Sequence, residues 1–324
     1  MTPDVVVHAN AGNDVGLGHL VRCMTLVREL LSRGVAATLR IEDDPDAVAF
    51  AHDEGVEPKT STPATLHEDL LTSPGDVVVI DSYEFTSEDF DRLTGTTTLV
   101  VFDELGDRRL PADLVINNNI YANDIAYPTA DVVCRGPDYC LLRPAFRDLP
   151  APEHTQPPRQ VLLTVGGSDL AGAFEDVLEM TARAVPAETT VKSVVGPYFE
   201  TPPSPPSGVT FHRVPSNMAE LMWTADFAVS GGGQTLYELA ACGTPPVAVT
   251  LGDDQIRNVE AFEAAGAARG VGRPAAAEFE SRLHNELSRL YETKSERRQL
   301  AERCRDLVDG FGAERVANRV ETLI

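Results

Sequence analysis

The sequence predicts an α/β protein built of two doubly wound, Rossmann-like parallel-sheet domains. Three observations carry this expectation. Short β-branched runs alternate with amphipathic stretches of helical length, the pattern of a parallel sheet with helices on its faces. Loops rich in Gly, Asp and Ser follow those runs, and the alternation begins afresh after a proline-rich break near the middle of the chain.

In the first half, strands are expected at Asp4–His8, Val35–Ile41, Val77–Asp81, Thr98–Asp103 and Asp113–Asn117. Helical stretches at His19–Arg33 and Asp44–Glu54 separate the earlier ones, and Gly34 stands where a helix C-cap is wanted. Four prolines in the ten residues Leu149–Pro158 exclude a helix or a central strand, so this segment reads as the linker between domains 1–150 and 159–324. Strands then resume at Gln160–Val165, Thr190–Val195, Gly208–Val214, Asp226–Ser230 and Pro246–Leu251. A second proline cluster, Thr201–Gly208, reads as a surface loop. From about Glu278 the chain looks helical, and one of these last helices is expected to pack back on the first domain. Domains of this kind bind ligands beyond the carboxyl ends of their strands, so the chemistry is expected there, with the two domains facing across a cleft.

Composition narrows the partners. The chain has 324 residues, 43% of them hydrophobic, with 27 Lys plus Arg against 50 Asp plus Glu and a net charge of −23. Nucleic acid and anionic membranes both call for basic surfaces, so neither is expected as a partner. Only three cations are lysines, Lys59, Lys192 and Lys294, which fits either a salt-rich setting or a GC-rich genome. The five cysteines include no Cys-x-x-Cys pair, and the seven histidines show no metal-ligand spacing near them, so no disulfide framework or metal site is expected. No run of about 18 apolar residues occurs, and the first residues carry Asp4 rather than a basic segment; a reducing cytoplasm is the expected compartment.

The first chemical signal is Gly16-Leu17-Gly18-His19-Leu20-Val21-Arg22-Cys23, at the opening of the first helix. Gly16 and Gly18 would let backbone approach a ligand. His19, in the first helical turn, meets a positive dipole end that disfavours imidazolium and suits a general base; a bland helix-start role is the alternative. Val21 stands where a dinucleotide fingerprint needs a small residue, so a nicotinamide enzyme is disfavoured.

The second signal is Ser230-Gly231-Gly232-Gly233-Gln234, followed by Glu238 on the next helical turn. Backbone N–H groups free of Cβ atoms at a helix start suit a diphosphate, and Glu238 could reach a ribose; a tight strand-to-helix turn explains the glycines equally. In the third, Asp254, Gln255 and Asn258, Gln255 and Asn258 share a helix face and could meet sugar groups, while the bland reading is helix capping. Two loops complete the set: Asp81-Ser82-Tyr83, where Tyr83 could orient a water or a sugar, and Gly166-Gly167-Ser168-Asp169, where Gly167, Ser168 and Asp169 end a strand. Asp103-Glu104 pairs two acids at a strand end without a second cluster to make a metal site.

These motifs, with Gly136-Pro137-Asp138-Tyr139-Cys140-Leu141-Leu142-Arg143, resemble the UDP-sugar hydrolases of pseudaminic acid biosynthesis and their spore-coat-polysaccharide relatives over most of the chain. The resemblance implies the GT-B fold and hydrolysis of a UDP-linked diacetamido-trideoxy sugar to UDP and free sugar, in nonulosonate synthesis, without metal or cofactor. It implies His19 as the base for water and Tyr83 as its positioning partner. Gly231, Gly232, Gly233 and Gln234 would hold the pyrophosphate and Glu238 the ribose. Gly16, Gly18, Arg22, Asp254, Gln255 and Asn258 would line the sugar site. The chain departs from the family in having Asp254 before Gln255, where Asn is usual, and Leu170 where Pro is common; a carboxylate at Asp254 alters the polarity of the sugar pocket. A GT-B glycosyltransferase is the main alternative, and a non-catalytic nucleotide-sugar-binding module the second.

Overall fold

The computed structural model describes residues 4–11, 17–167, 169, 172–196, 198–199 and 205–324. The chain divides into two compact units, 1–143 with 311–324, and 144–310.

The first unit contains β1 (Asp4–Ala9), α1 (Gly18–Ser32), β2 (Ala36–Glu42), α2 (Pro45–Asp53), β3 (Lys59–Ser61), α3 (Pro63–Thr72), β4 (Val77–Asp81), α4 (Ser87–Leu93), β5 (Thr98–Phe102), β6 (Leu114–Asn117) and β7 (Val132–Arg135). Its seven strands lie in the order β3-β2-β1-β4-β5-β6-β7, and every pairing is parallel. The central strands β4 and β5 run almost wholly apolar because both faces are covered. Val5, Val7, Val77, Val79, Val100 and Phe102 join one core layer, while Val6, Val78, Ile80, Leu99 and Val101, each offset by one residue, join the other. Helix α1 lays Leu20, Cys23, Met24, Leu26, Val27 and Leu30 on the first layer, the spacing of a single apolar face. Gly34 terminates it at φ +81°, a left-handed position that a Cβ would strain.

The second unit contains β8 (Gln160–Thr164), α5 (Phe174–Ala184), β9 (Thr190–Val195), β10 (Val209–Arg213), α6 (Met218–Trp223), β11 (Phe227–Gly231), α7 (Gln234–Cys242), β12 (Pro246–Val249), α8 (Ile256–Ala264), β13 (Arg269–Gly272), α9 (Phe279–Glu292) and α10 (Lys294–Leu307). Its parallel sheet has the order β10-β9-β8-β11-β12-β13. The last helix, α11 (Gly312–Glu321), belongs to the first unit, where Ala313, Val316, Ala317 and Val320 join the layer beneath α1. In each sheet the chain reverses its winding once, between β1 and β4 in the first unit and between β8 and β11 in the second. These are the points at which a doubly wound sheet opens a crevice beyond its strand ends.

The α/β expectation holds, with three strands added: Lys59–Ser61, Val132–Arg135 and Arg269–Gly272. The proline-rich segment expected as a linker lies inside the second unit and is fastened there. Arg297, fully buried, donates to the Thr155 and Leu290 carbonyls and to Gln156 Oε1. Asp226 accepts from the backbone N–H groups of Thr155, Arg159 and Gln160, and Trp223 Nε1 donates to the Pro150 carbonyl. Arg297→Ala is expected to lower the urea midpoint by the equivalent of about 2–4 kcal/mol, because several carbonyls lose a charged donor at once. An unchanged midpoint would show that the clamp contributes nothing to stability.

Candidate functional site

In the first unit the residues converge at the reversal between β1 and β4. Ala9 and Asp81 are register partners at the ends of these strands, and α1, which leaves the loop after β1, brings His19 and Arg22 over Asp81. His19 Nδ1 lies 2.6 Å from Asp81 Oδ1. Two unprotonated acceptors cannot approach that closely, so we assign the proton to Nδ1, which donates it to the carboxylate and leaves Nε2 as the basic nitrogen; Arg22 Nη2, 3.2 Å from Nδ1, is then a neighbour and not its hydrogen-bond donor. Among the described residues no group bonds Nε2. Arg22 grips the same carboxylate through Nε and through Nη2, at 2.6 Å from Oδ1, and Cys23 Sγ adds a weak contact at 3.5 Å. His19, Arg22 and Asp81 are all buried.

The cluster extends to β5. Arg22 Nη1 donates to Glu104 Oε1, and the Tyr83 hydroxyl donates to Glu104 Oε2 at 2.7 Å. The Tyr83 ring stands edge-on to His19, with centroids 4.9 Å apart and planes at 83°. Burial alone would raise the Asp81 carboxyl, but the charge of Arg22, and then the adjacent His19 ring, outweigh it and hold it well below the usual carboxylate range. Glu104 is likewise held down against the effect of burial, chiefly by Arg22. For Arg22 burial opposes the charge, yet Asp81 and Glu104 raise its pKa well above the usual value. Two fixed carboxylates therefore share one guanidinium beside the imidazole.

The loops that carry Tyr83 and Glu104 are held by a single side chain. Arg108 donates from Nη1 to the Ser82 and Phe85 carbonyls and from Nη2 to Asp103 Oδ1. Asp103 in turn accepts from the Leu105 and Gly106 N–H groups and from the Tyr127 hydroxyl. Downstream of Tyr83, Thr86 and Asp89 close a capping box on α4. Such support fixes side-chain geometry before any ligand arrives. Asn10, just past β1, is also buried; its backbone N–H donates to the Asp81 carbonyl, and among the described residues its Oδ1 has no partner.

In the second unit the glycine loop lies at the reversal between β8 and β11. The Gly232 N–H donates to Gln255 Oε1 at 2.9 Å, and the Leu251 N–H donates to the same oxygen at 3.1 Å. Asn258 Nδ2 donates to the Gly232 carbonyl at 2.6 Å, while Asn258 Oδ1 accepts from the Tyr237 hydroxyl at 2.6 Å. The loop must be glycine here: a Cβ on Gly232 would come within 2.4 Å of Val259 Cγ2.

The structure thus brings His19, Arg22 and Tyr83 together, and separately groups Gly231, Gly232, Gly233, Gln255 and Asn258. Asn258 is 3% exposed and has both ends of its amide committed to protein partners, so it braces Gly232 rather than facing a sugar. Gln255 is half-buried and spends its oxygen on the loop, which also removes the Gly232 N–H from the set of donors a diphosphate could use. Asp254 is exposed in the turn Asp253–Gln255, and Gln255, the N-cap residue of α8, makes no side-chain cap bond. Glu238 is buried on α7, one turn from Gln234. Asp169 caps α5 by accepting from the Ala173 and Phe174 N–H groups, and the Gly167 carbonyl accepts from the Tyr198 N–H. At Gly18 a Cβ would meet nothing within 4 Å among the described residues. Gly16 and Ser168 lie outside the described residues. Asp81 and Glu104 are the residues the sequence left unassigned; the available signal was that Asp81 ends one β-branched run and Glu104 follows another by two residues. Among the described residues no group of three or more His, Cys, Asp or Glu is placed to hold a metal ion, and no helix is long and apolar enough to cross a membrane.

Comparison with known proteins agrees with this architecture. Residues 161–317 match the glycosyltransferase family 28 C-terminal domain. The chain is 26% identical to the spore coat polysaccharide biosynthesis protein SpsG of Bacillus subtilis, over 98% of each. It is also 26% identical, over 78% of its own length and 45% of the relative's, to a Helicobacter pylori protein named pseudaminic acid cytidylyltransferase and UDP-2,4-diacetamido-2,4,6-trideoxy-beta-L-altropyranose hydrolase. Among solved structures it is similar to the spinosyn forosaminyltransferase SpnP, with a TM-score of 0.70 at 15% identity over 100% of this chain and 99% of that one. The Staphylococcus aureus MnaA structure with UDP gives 0.69 at 12% identity over 99% and 98%. The fold is that of GT-B glycosyltransferases.

Proposed function

We propose that this protein transfers the glycosyl group of a nucleotide-sugar to an oxygen nucleophile, with His19 as the base. The observation that carries the reading is the Asp81–His19 pair at the sheet reversal of the first unit: a carboxylate fixes the Nδ1–H tautomer and leaves Nε2 to take a proton. In the reaction Nε2 removes the proton of the attacking O–H, the nucleophile's oxygen bonds to the anomeric carbon, and the bond from that carbon to the diphosphate oxygen breaks. The electron pair leaves with the nucleoside diphosphate. The imidazolium formed is stabilised by Asp81. The departing charge needs fixed donors, and backbone N–H groups at the start of α7 are the donors we propose for it. UDP is the nucleotide we propose, in line with the UDP named for the Staphylococcus aureus structure.

Transfer to an acceptor hydroxyl, a glycosyltransferase reaction, is the reading favoured by the family 28 match across the second unit. Hydrolysis is the second reading, with water as the acceptor and a UDP-linked diacetamido sugar as substrate; the hydrolase named in the Helicobacter pylori relative favours it. The test is incubation with a panel of UDP-sugars in oxygen-18 water, with and without candidate acceptors, followed by mass spectrometry. UDP release that depends on an acceptor, with no label in the sugar, supports transfer. Label in free sugar without any acceptor supports hydrolysis. Label in UDP means attack at phosphorus and overturns both.

A further inference from the structure

A tyrosine hydroxyl has one proton to give and two lone pairs to receive. In Tyr83 that proton is committed to Glu104 Oε2 at 2.7 Å, and the other oxygen of Glu104 is held by the Arg22 guanidinium, a charge-assisted contact that keeps the carboxylate in place. Tyr83 can therefore meet a ligand only as an acceptor. Tyr83 is 44% exposed; the burial that remains, and then the Glu104 carboxylate, push the phenol above its usual range, so Tyr83 stays protonated.

We propose that Glu104 is a positioning residue that fixes Tyr83 as a hydrogen-bond acceptor, so that the site selects a nucleophile bringing two hydrogens, one for His19 and one for Tyr83. This rests on the base-catalysed reading above and, of its two acceptors, favours water, the second reading. Water carries two O–H bonds and satisfies both residues. A lone alcohol carries one, which goes to His19, and leaves the Tyr83 oxygen facing a second oxygen with no hydrogen between them. Glu104→Gln reverses the arrangement. The amide has one oxygen for two donors; Arg22, permanently charged, takes it, and the amide N–H₂ turns to Tyr83. The Tyr83 proton is then released toward the ligand.

The test is a cycle of wild type, Glu104→Gln, Tyr83→Phe and the double variant, assayed on a turned-over UDP-sugar in water containing methanol as the probe alcohol. Free sugar and methyl glycoside are measured by mass spectrometry. Glu104→Gln is expected to lower kcat for free sugar about 10- to 100-fold with KM steady, and to raise the share of methyl glycoside. In the Tyr83→Phe background it should change neither by more than about twofold. An equal loss in both backgrounds, or an unchanged product ratio, overturns the proposal by showing that Glu104 acts only through Arg22. Should Glu104→Gln not fold, Glu104→Asp keeps the charge near Arg22, withdraws the carboxylate from Tyr83, and should show the same coupling. A substrate-free readout separates this proposal from the functional reading: in alkaline difference absorbance against Tyr83→Phe, the Tyr83 phenol should titrate lower in Glu104→Gln than in wild type. An unmoved titration overturns the Glu104–Tyr83 pairing whatever the enzyme turns over. A moved titration in a protein that turns over no nucleotide-sugar counts against the functional reading alone.

Discussion

Replacing His19 by alanine is expected to lower kcat by about 10²–10⁴-fold while leaving UDP affinity unchanged. The expectation follows from the division of labour between separate loops. The proton acceptor is an imidazole oriented by Asp81 in the first unit, whereas the proposed diphosphate donors open α7 in the second. Calorimetric titration with UDP beside steady-state kinetics checks both halves. Full activity in the variant would remove His19 from the chemistry, and a parallel loss of UDP affinity would mean that it serves the nucleotide instead of the nucleophile.

Asp81→Asn is expected to damage both activity and stability. An asparagine no longer enforces the Nδ1–H tautomer of His19, and loss of the orienting carboxylate should lower kcat by about 10²–10⁴-fold. Removing one partner of a buried ion pair also strands Arg22 with half its compensation, at a cost of about 3–5 kcal/mol near neutral pH. The pH dependence has a definite sign. Despite burial, Arg22 and His19 hold the Asp81 carboxyl lower in the folded chain than in the unfolded one. Its contribution is therefore complete above the unfolded value, about 4, and is lost as pH falls through the folded value. Urea midpoints of wild type and variant should accordingly differ most at neutral pH and converge on acidification below about pH 4. A gap that stays constant down to the most acid point would show that the carboxylate charge is not what holds Arg22.

The central strands were legible because both faces are buried and their β-branched runs stand out: Val77–Asp81 and Thr190–Val195 are found with the expected bounds. The strands that escaped lie at the sheet edges, where three or four residues suffice. Lys59–Ser61 has no apolar residue, and Arg269–Gly272 includes two glycines. The candidate site divides in the same way. His19 and Arg22, three apart on one helix, were readable as neighbours. Their joining to Asp81 and Glu104 depends on β1 lying beside β4 and β4 beside β5, which is a property of crossover connections and leaves no mark in local spacing. Likewise the three-residue interval between Gln255 and Asn258 indicated a shared face, but not that the face would turn inward to brace Gly232.

The return of α11 to the first unit sets an order of assembly on the ribosome. Ala313, Val316, Ala317 and Val320 pack beside α1 in the same core layer, yet they are synthesised only after the whole of 144–310. At ordinary translation speeds that interval lasts roughly 8–30 s, and throughout it the nascent first unit carries an uncovered apolar strip. The part of the molecule that emerges first is therefore completed last, and this waiting period is when the chain would most depend on chaperones.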